Sequence, residues 1–177
     1  GFFYFNSFAQ YKLTDPLPVD PTVKVGKLAN GLTYYIRRNA KPEKKIELRL
    51  AVNAGSVQEN DNQLGLAHFM EHMGFNGSKN FPKNELVDFL QKTGVDFGAD
   101  LNAYTSFDET VYILSLPTED AGMVDKGFTV LEDWAFNNLL DKTEIEKERG
   151  VVLEESRLSK GSWERMSRQY FPKLLNG

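Results

Sequence analysis

Between residues 46 and 52, Ile46, Leu48, Leu50 and Val52 alternate with Glu47, Arg49 and Ala51, a period of two. Successive side chains point to opposite faces only in an extended chain, so this segment predicts a strand with one face buried, and hence a sheet with something laid over it. Thr110 to Leu116 reads as another strand. Val23 to Leu28 and Leu32 to Arg38 flank Asn30-Gly31, a dipeptide that accepts the positive φ of a tight hairpin turn, and predict an antiparallel pair. The intervening stretches change to a helical period. One helix is expected from about Asn62 to Met73, and a second, opened by Pro82, carries Leu86, Val87 and Leu90 on one face and closes at Gly94. Val124, Phe128, Leu131 and Ala135 form the stripe of a third, and a fourth runs from near Thr143 to about Leu158.

With 177 residues, 41% hydrophobic and 12% aromatic, the chain can bury one substantial core, which predicts one domain. A net charge of -4 from 21 basic and 25 acidic residues, with no long block of one sign, argues against a nucleic-acid footprint or a polybasic membrane anchor. Peptides are the better expectation for a partner. No apolar run approaches the roughly 20 residues of a membrane span. The absence of cysteine excludes disulfides, thiolate nucleophiles and cysteine-based zinc sites, so any metal must be held by His, Asp or Glu. Residues 1–9 are Phe-rich and end in Ser7-Phe8-Ala9 before Gln10, the small-x-small pattern of a signal-peptidase site. They read as a secretory-signal remnant, placing the protein outside the cell or in the periplasm, with an N-terminal strand as the other reading. A Pro- and Asp-punctuated arm follows to about Pro21. Residues 1–22 are therefore set apart from a domain over 23–177.

The chemistry concentrates in Leu66-Ala67-His68-Phe69-Met70-Glu71-His72-Met73. At about 100° per residue, Leu66, Phe69, Met70 and Met73 fall on one helical face and His68, Glu71 and His72 on the other. The helix is expected to pack on its apolar side and present the polar one. Histidines four apart stand one turn apart, close enough for both imidazoles to reach one ion, with Glu71 between them able to reach a water. Ordinary surface residues in a chance five-residue pattern are the alternative.

A third ligand can come from the fourth helix. With Glu148 as zero, Ile145, Val151, Val152 and Glu155 all fall within about 60° of it, so two carboxylates stand in an apolar stripe. A buried carboxylate calls for a cation or donors facing it. Glu154 lies about 100° from Glu155, toward the rim, and is the weaker candidate. Two turns, about 10.5 Å, separate Glu148 from Glu155, too far for both to ligate one ion. Glu155 is the expected ligand and Glu148 an outer carboxylate that orients the site. Salt bridges with Lys142, Lys147, Arg149 or Arg157 are the alternative for this face.

His68-Phe69-Met70-Glu71-His72-Met73, then Leu101-Asn102-Ala103-Tyr104-Thr105-Ser106 leading into Thr110-Val111-Tyr112, then Glu148-Arg149-Gly150-Val151-Val152-Leu153-Glu154-Glu155, resemble the successive signatures of the pitrilysin family of zinc metallopeptidases, which includes insulin-degrading enzyme and the mitochondrial processing peptidase. The resemblance runs from about Val23 to the end. It implies His68, His72 and Glu155 as ligands of one Zn2+, Glu71 as general base, and Glu148 as the family's additional acidic position. It also implies an α+β fold, an antiparallel-rich sheet covered by helices in two layers, as the first of several domains that close around the substrate. On that pattern the chain stops before the closing strands of the first domain and before a C-terminal partner half or homologous subunit. The implied activity is endopeptidase cleavage of extended peptides or small unfolded proteins. Asn102 and Ala103 are expected to hold the peptide as an added strand, or else to be structural. Phe75 matches a position lining the pocket for the residue after the cut, or is a core phenylalanine. Two rival functions are a catalytically silent peptide-binding partner subunit and a non-enzymatic metal-binding module.

Overall fold

The computed structural model describes residues 20–175 apart from 84, 93, 96 and 97, so the expected signal remnant and most of the arm lie outside the described residues. Two compact units divide at Glu43 and Lys44. The first holds the hairpin, in which β1 (Val23–Lys27) pairs antiparallel with β2 (Thr33–Arg37), with Val23 opposite Arg37 and Lys27 opposite Thr33. Leu28 N donates to Leu32 O (2.8 Å) at the turn, where Gly31 has a φ of 95°, a value that only glycine adopts at little cost.

The second unit is built on a three-stranded antiparallel sheet of order β3-β5-β4, comprising β3 (Lys45–Val52), β4 (Leu101–Thr105) and β5 (Thr110–Pro117). Ile46 faces Leu116 across the first pairing, and Leu101 faces Leu114 across the second. β5 is the central strand and buries Tyr112, Leu114 and Leu116. Among the described residues, five α-helices complete the unit: α1 (Leu66–Met73), α2 (Glu85–Lys92), α3 (Ala121–Phe136), α4 (Lys142–Ser159) and α5 (Ser162–Leu175). Leu48, Tyr112, Leu114 and Leu116 of the sheet share one core with Leu86 and Leu90 of α2 and Val130 and Trp134 of α3. This is the α+β arrangement of an antiparallel sheet covered by helices.

Three helical expectations need correction. α1 starts at Leu66 and not near Asn62, because Gly65 holds a φ of 90° that no right-handed helix contains. α3 buries Gly127, Val130, Asp133 and Trp134 and leaves Phe128 54% exposed, so its buried stripe is rotated from the one read off the apolar residues. The missing side chain at Gly127 sets that rotation. A Cβ there would stand 2.4 Å from Leu116 Cδ1 and 2.9 Å from Leu48 Cδ1, so the helix lies on the sheet at its glycine. α5 was not foreseen, although Trp163, Met166, Tyr170 and Leu174 recur at helical spacing.

Asp133 joins α3 to the segment that leaves α1. Only 1% exposed, it accepts from Ser78 Oγ (2.5 Å), Asn80 N (2.9 Å), Asn80 Nδ2 (2.8 Å) and Asn137 Nδ2 (3.0 Å). Lys79 N to Asn137 O (3.0 Å) and Leu139 N to Gly77 O (3.1 Å) close the same junction through the main chain. Burial pushes the Asp133 carboxyl up, but its donors outweigh that and hold it below the ordinary carboxylate range.

Candidate metal centre

Helix α1 is fastened at both ends. Its N-cap, Gly65, offers no side chain, and the Glu59 carboxylate accepts from Gly65 N (2.8 Å) and Ala67 N (2.7 Å) instead. A carboxylate there satisfies free amides and faces the positive end of the helix dipole. At the other end, the Tyr112 hydroxyl donates to Met70 O (3.1 Å) and Trp134 Nε1 donates to Gly74 O (3.0 Å). The two rings stack at 5.1 Å, and Phe75, half-buried, packs on both at 6.2 and 5.9 Å. Phe75 thus stands in the aromatic group that backs α1. Burial, and then the nearby charge of Glu71, push the Tyr112 phenol up to about 12, which keeps it a donor.

On the side of α1 facing α4, three candidate atoms converge. His72 Nε2 lies 3.2 Å from His68 Nε2 and 3.3 Å from Glu155 Oε2, and His68 Nε2 lies 3.8 Å from the same oxygen. His72 Nδ1 is 2.7 Å from Glu148 Oε1, whose other oxygen accepts from Asn76 Nδ2 at 2.7 Å. An ionised Glu148 has only lone pairs to offer, so the tautomer of His72 that donates from Nδ1 is the one that leaves the Nε2 lone pair for an ion placed between His68 and Glu155. Two imidazole nitrogens and a carboxylate oxygen suit Zn2+, whose tetrahedral bonds of about 2.0–2.1 Å separate neighbouring donors by about 3.3 Å. The three residues fit such an ion.

The reason Glu148 stands where it does differs from the expected one. No residue of α4 is buried, Val151 is 47% exposed, and the apolar stripe encloses neither carboxylate. Hydrogen bonds from His72 and Asn76 face Glu148 instead. Glu154 turns away to Arg157, accepting from its Nε (2.8 Å) and Nη2 (2.6 Å).

The polar face of α1 is also less open than its pattern suggests. Glu71 is only 9% exposed, whereas Leu66 and Met70, expected to pack, are 49% and 39% exposed. The reason is that this face meets β4 and α4. Glu71 Oε2 accepts from Thr105 Oγ1 of β4 at 2.5 Å. Asn102 is exposed on β4, with its Oδ1 accepting from Ala103 N (2.9 Å), and Ala103 is half-buried. Among the described residues β4 pairs only with β5, which leaves its other edge open. The sequence reading missed Asn76 and Thr105. Asn76 follows His72 by one helical turn, a spacing that could have flagged it, but Thr105 reaches Glu71 only through tertiary folding.

A helix bearing two histidines and a glutamate, backed by an antiparallel sheet and met by a carboxylate from a second helix, brings three metal-ligating side chains to one point. The family model described as "Insulinase (Peptidase family M16)" matches residues 34–174, and the chain belongs to that family. It is 42% identical over 159 residues to the "Probable zinc protease PqqL" of Escherichia coli, and 43% identical over 141 residues to the protein of that name in Haemophilus influenzae. These alignments cover 90% and 80% of this chain but 17% and 15% of the relatives, so the chain spans about one sixth of their length. The crystal structure of the first half of the periplasmic protease PqqL from Escherichia coli matches with a TM-score of 0.82 at 42% identity, over 86% of this chain and 32% of that one.

Proposed function

We propose that this chain carries the zinc-binding and water-activating part of an endopeptidase that cleaves extended peptides or small unfolded proteins. The convergence of His68 Nε2, His72 Nε2 and Glu155 Oε2 within 3.2 to 3.8 Å of one another carries the reading. These three would hold one zinc ion. When bound, zinc supplies Lewis acidity that acidifies water and polarises the scissile carbonyl. Glu148 fixes the tautomer of His72 and the direction of its Nε2. Glu71 takes a proton from the attacking water at its carboxylate and hands it to the leaving amine, acting as base and then as acid. The open edge of β4 at Asn102 and Ala103 receives the peptide as an added strand, since main-chain pairing holds extended substrates with little demand on sequence. Phe75 is the candidate for the wall beside the residue after the cut.

The remainder of a longer chain, or a homologous subunit, would supply the facing half of the substrate chamber, with residues 23–177 forming part of the first domain. The periplasmic relative and the signal-like Ser7-Phe8-Ala9 support an extracytoplasmic location. The test is Glu71→Gln in the full-length protein, with zinc content, peptide affinity and turnover read on one preparation. Zinc and peptide binding are expected to persist while turnover falls by about 100-fold or more. Near-normal turnover would remove Glu71 as the base, and loss of zinc would make it a ligand.

A further inference from the structure

A general base has to offer one oxygen to water in a fixed direction, and a glutamate side chain turns about three bonds. Among the described residues, Glu71 is held at one oxygen only. Oε2 accepts from Thr105 Oγ1, whereas among the described residues Oε1 takes no hydrogen bond. We propose that Thr105 is a positioning residue for Glu71, pinning Oε2 so that Oε1 is presented to the reacting water. This rests on the reading of Glu71 as the base.

The anchor itself is rigid, for reasons in the sheet. Thr105 and Thr110 are directly opposed across β4 and β5, so their side chains share a face. Their hydroxyl oxygens are 3.2 Å apart, and Thr110 Oγ1 donates to Ala54 O at 2.8 Å. Both residues are β-branched and stiff at χ1, and Thr110 is only 5% exposed. The turn joining the two strands is held by Ser106 N to Glu109 O (2.8 Å), Ser56 N to Ser106 O (3.2 Å) and Val57 N to Phe107 O (2.8 Å). A Cβ on Gly55 would lie 2.5 Å from Ser106 O, so the 54–57 segment sits on that turn without slack. The hydroxyl that meets Glu71 therefore stands on main chain fixed from two sides, the support a reacting group needs to keep its direction.

The experiment uses the full-length protein and an unstructured peptide substrate. Thr105→Val removes the donor at nearly constant shape and is expected to lower kcat by about 10- to 100-fold, the range for losing a supporting partner. Zinc content by elemental analysis and KM should stay close to wild type, and Thr105→Ser, which restores the donor, should recover most of kcat. In a Glu71→Gln background Thr105→Val should cost nothing further, because a residue that acts through Glu71 has nothing left to position. Thr110→Val, which keeps the Thr105 hydroxyl and loosens the strand beneath it by removing the bond to Ala54 O, should give a smaller loss of the same kind. Wild-type kcat in Thr105→Val beside a crippled Glu71→Gln would overturn this inference and leave the base in place. Normal turnover in Glu71→Gln would overturn the base itself. Loss of zinc in Thr105→Val, or an undiminished cost in the Glu71→Gln background, would show a merely structural residue.

Discussion

Replacing Asp133 by alanine should free the segment after α1 from α3. The substitution removes the acceptor of four hydrogen bonds at a position 1% exposed. The Asn80 and Asn137 amides can turn to other partners, but the Ser78 hydroxyl, 2% exposed, and the Asn80 N–H are left without one. Each stranded donor costs about 1–3 kcal/mol, so the two together cost about 2–6 kcal/mol. At 1.4 kcal/mol per decade, that raises the local opening of residues 77–81 by about one to four orders of magnitude. Amide hydrogen exchange measures this directly. Lys79 N and Leu139 N, which bond across the junction, should lose protection by that factor. Asp133→Asn should be milder, because the facing amides can flip to present oxygens to the new NH2 group. The two variants also differ in pH dependence. A carboxyl whose folded pKa is lowered stabilises fully above its unfolded value of about 4 and loses that contribution as pH falls through the lower folded value. Wild type should therefore lose protection at this junction only in acid, and Asp133→Asn should show no such step. Protection in Asp133→Ala within about threefold of wild type would refute the reasoning, since threefold is well under 1 kcal/mol.

Glu155→Gln should lower zinc affinity more than Glu154→Gln, since Glu155 faces the two histidines and Glu154 is committed to Arg157; elemental analysis after dialysis against a graded chelator ranks them. Glu148→Gln should fall between them, at about 10- to 100-fold in affinity or activity. Glu59→Ala should fray the first turn of α1 by about 1–2 kcal/mol, read as faster exchange at Ala67 and its neighbours, with the end of the helix unaffected. Gly127→Ala should force the Leu116 and Leu48 side chains aside and cost about 1–3 kcal/mol, seen as a lower Tm of this domain.

What the sequence disclosed followed from how locally each feature is determined. The β1–β2 hairpin and strands β3 and β5 were legible because period-two alternation and an Asn-Gly turn act over a few residues. The His68 and His72 pair was legible because helical spacing alone brings residues four apart together. Reading α3 failed at Gly127, where absence of a side chain, invisible to an apolar count, decides which face touches the sheet. The burial of Asp133 was hidden for a related reason. Its donors come from residues 78, 80 and 137, and a charged residue looks exposed until those donors are assembled. Glu148 was picked out for a stripe that stays open, while its real partners, His72 and Asn76, stand more than seventy positions away. Thr105 stood within a family signature, but its contact with Glu71 was not legible, because a threonine in a strand carries no chemical signature until a carboxylate is placed against it.

Clamping α1 at both ends has a consequence for the order in which such a site assembles. On the proposed ligand set, two of the three donors ride on that one short helix, whose first turn is tied to Glu59 and whose last carbonyls are tied to Tyr112 and Trp134. The third donor rides on α4, which buries none of its residues. The ordering entropy of binding then falls mainly on α4, which the ion would join to α1 at a second point beyond the bonds from His72 and Asn76 to Glu148. Withdrawing zinc should leave α1 in place and loosen α4 beyond Glu148, so chelation would expose the Glu155 end of that helix to proteolysis before any other part of the sheet-backed unit.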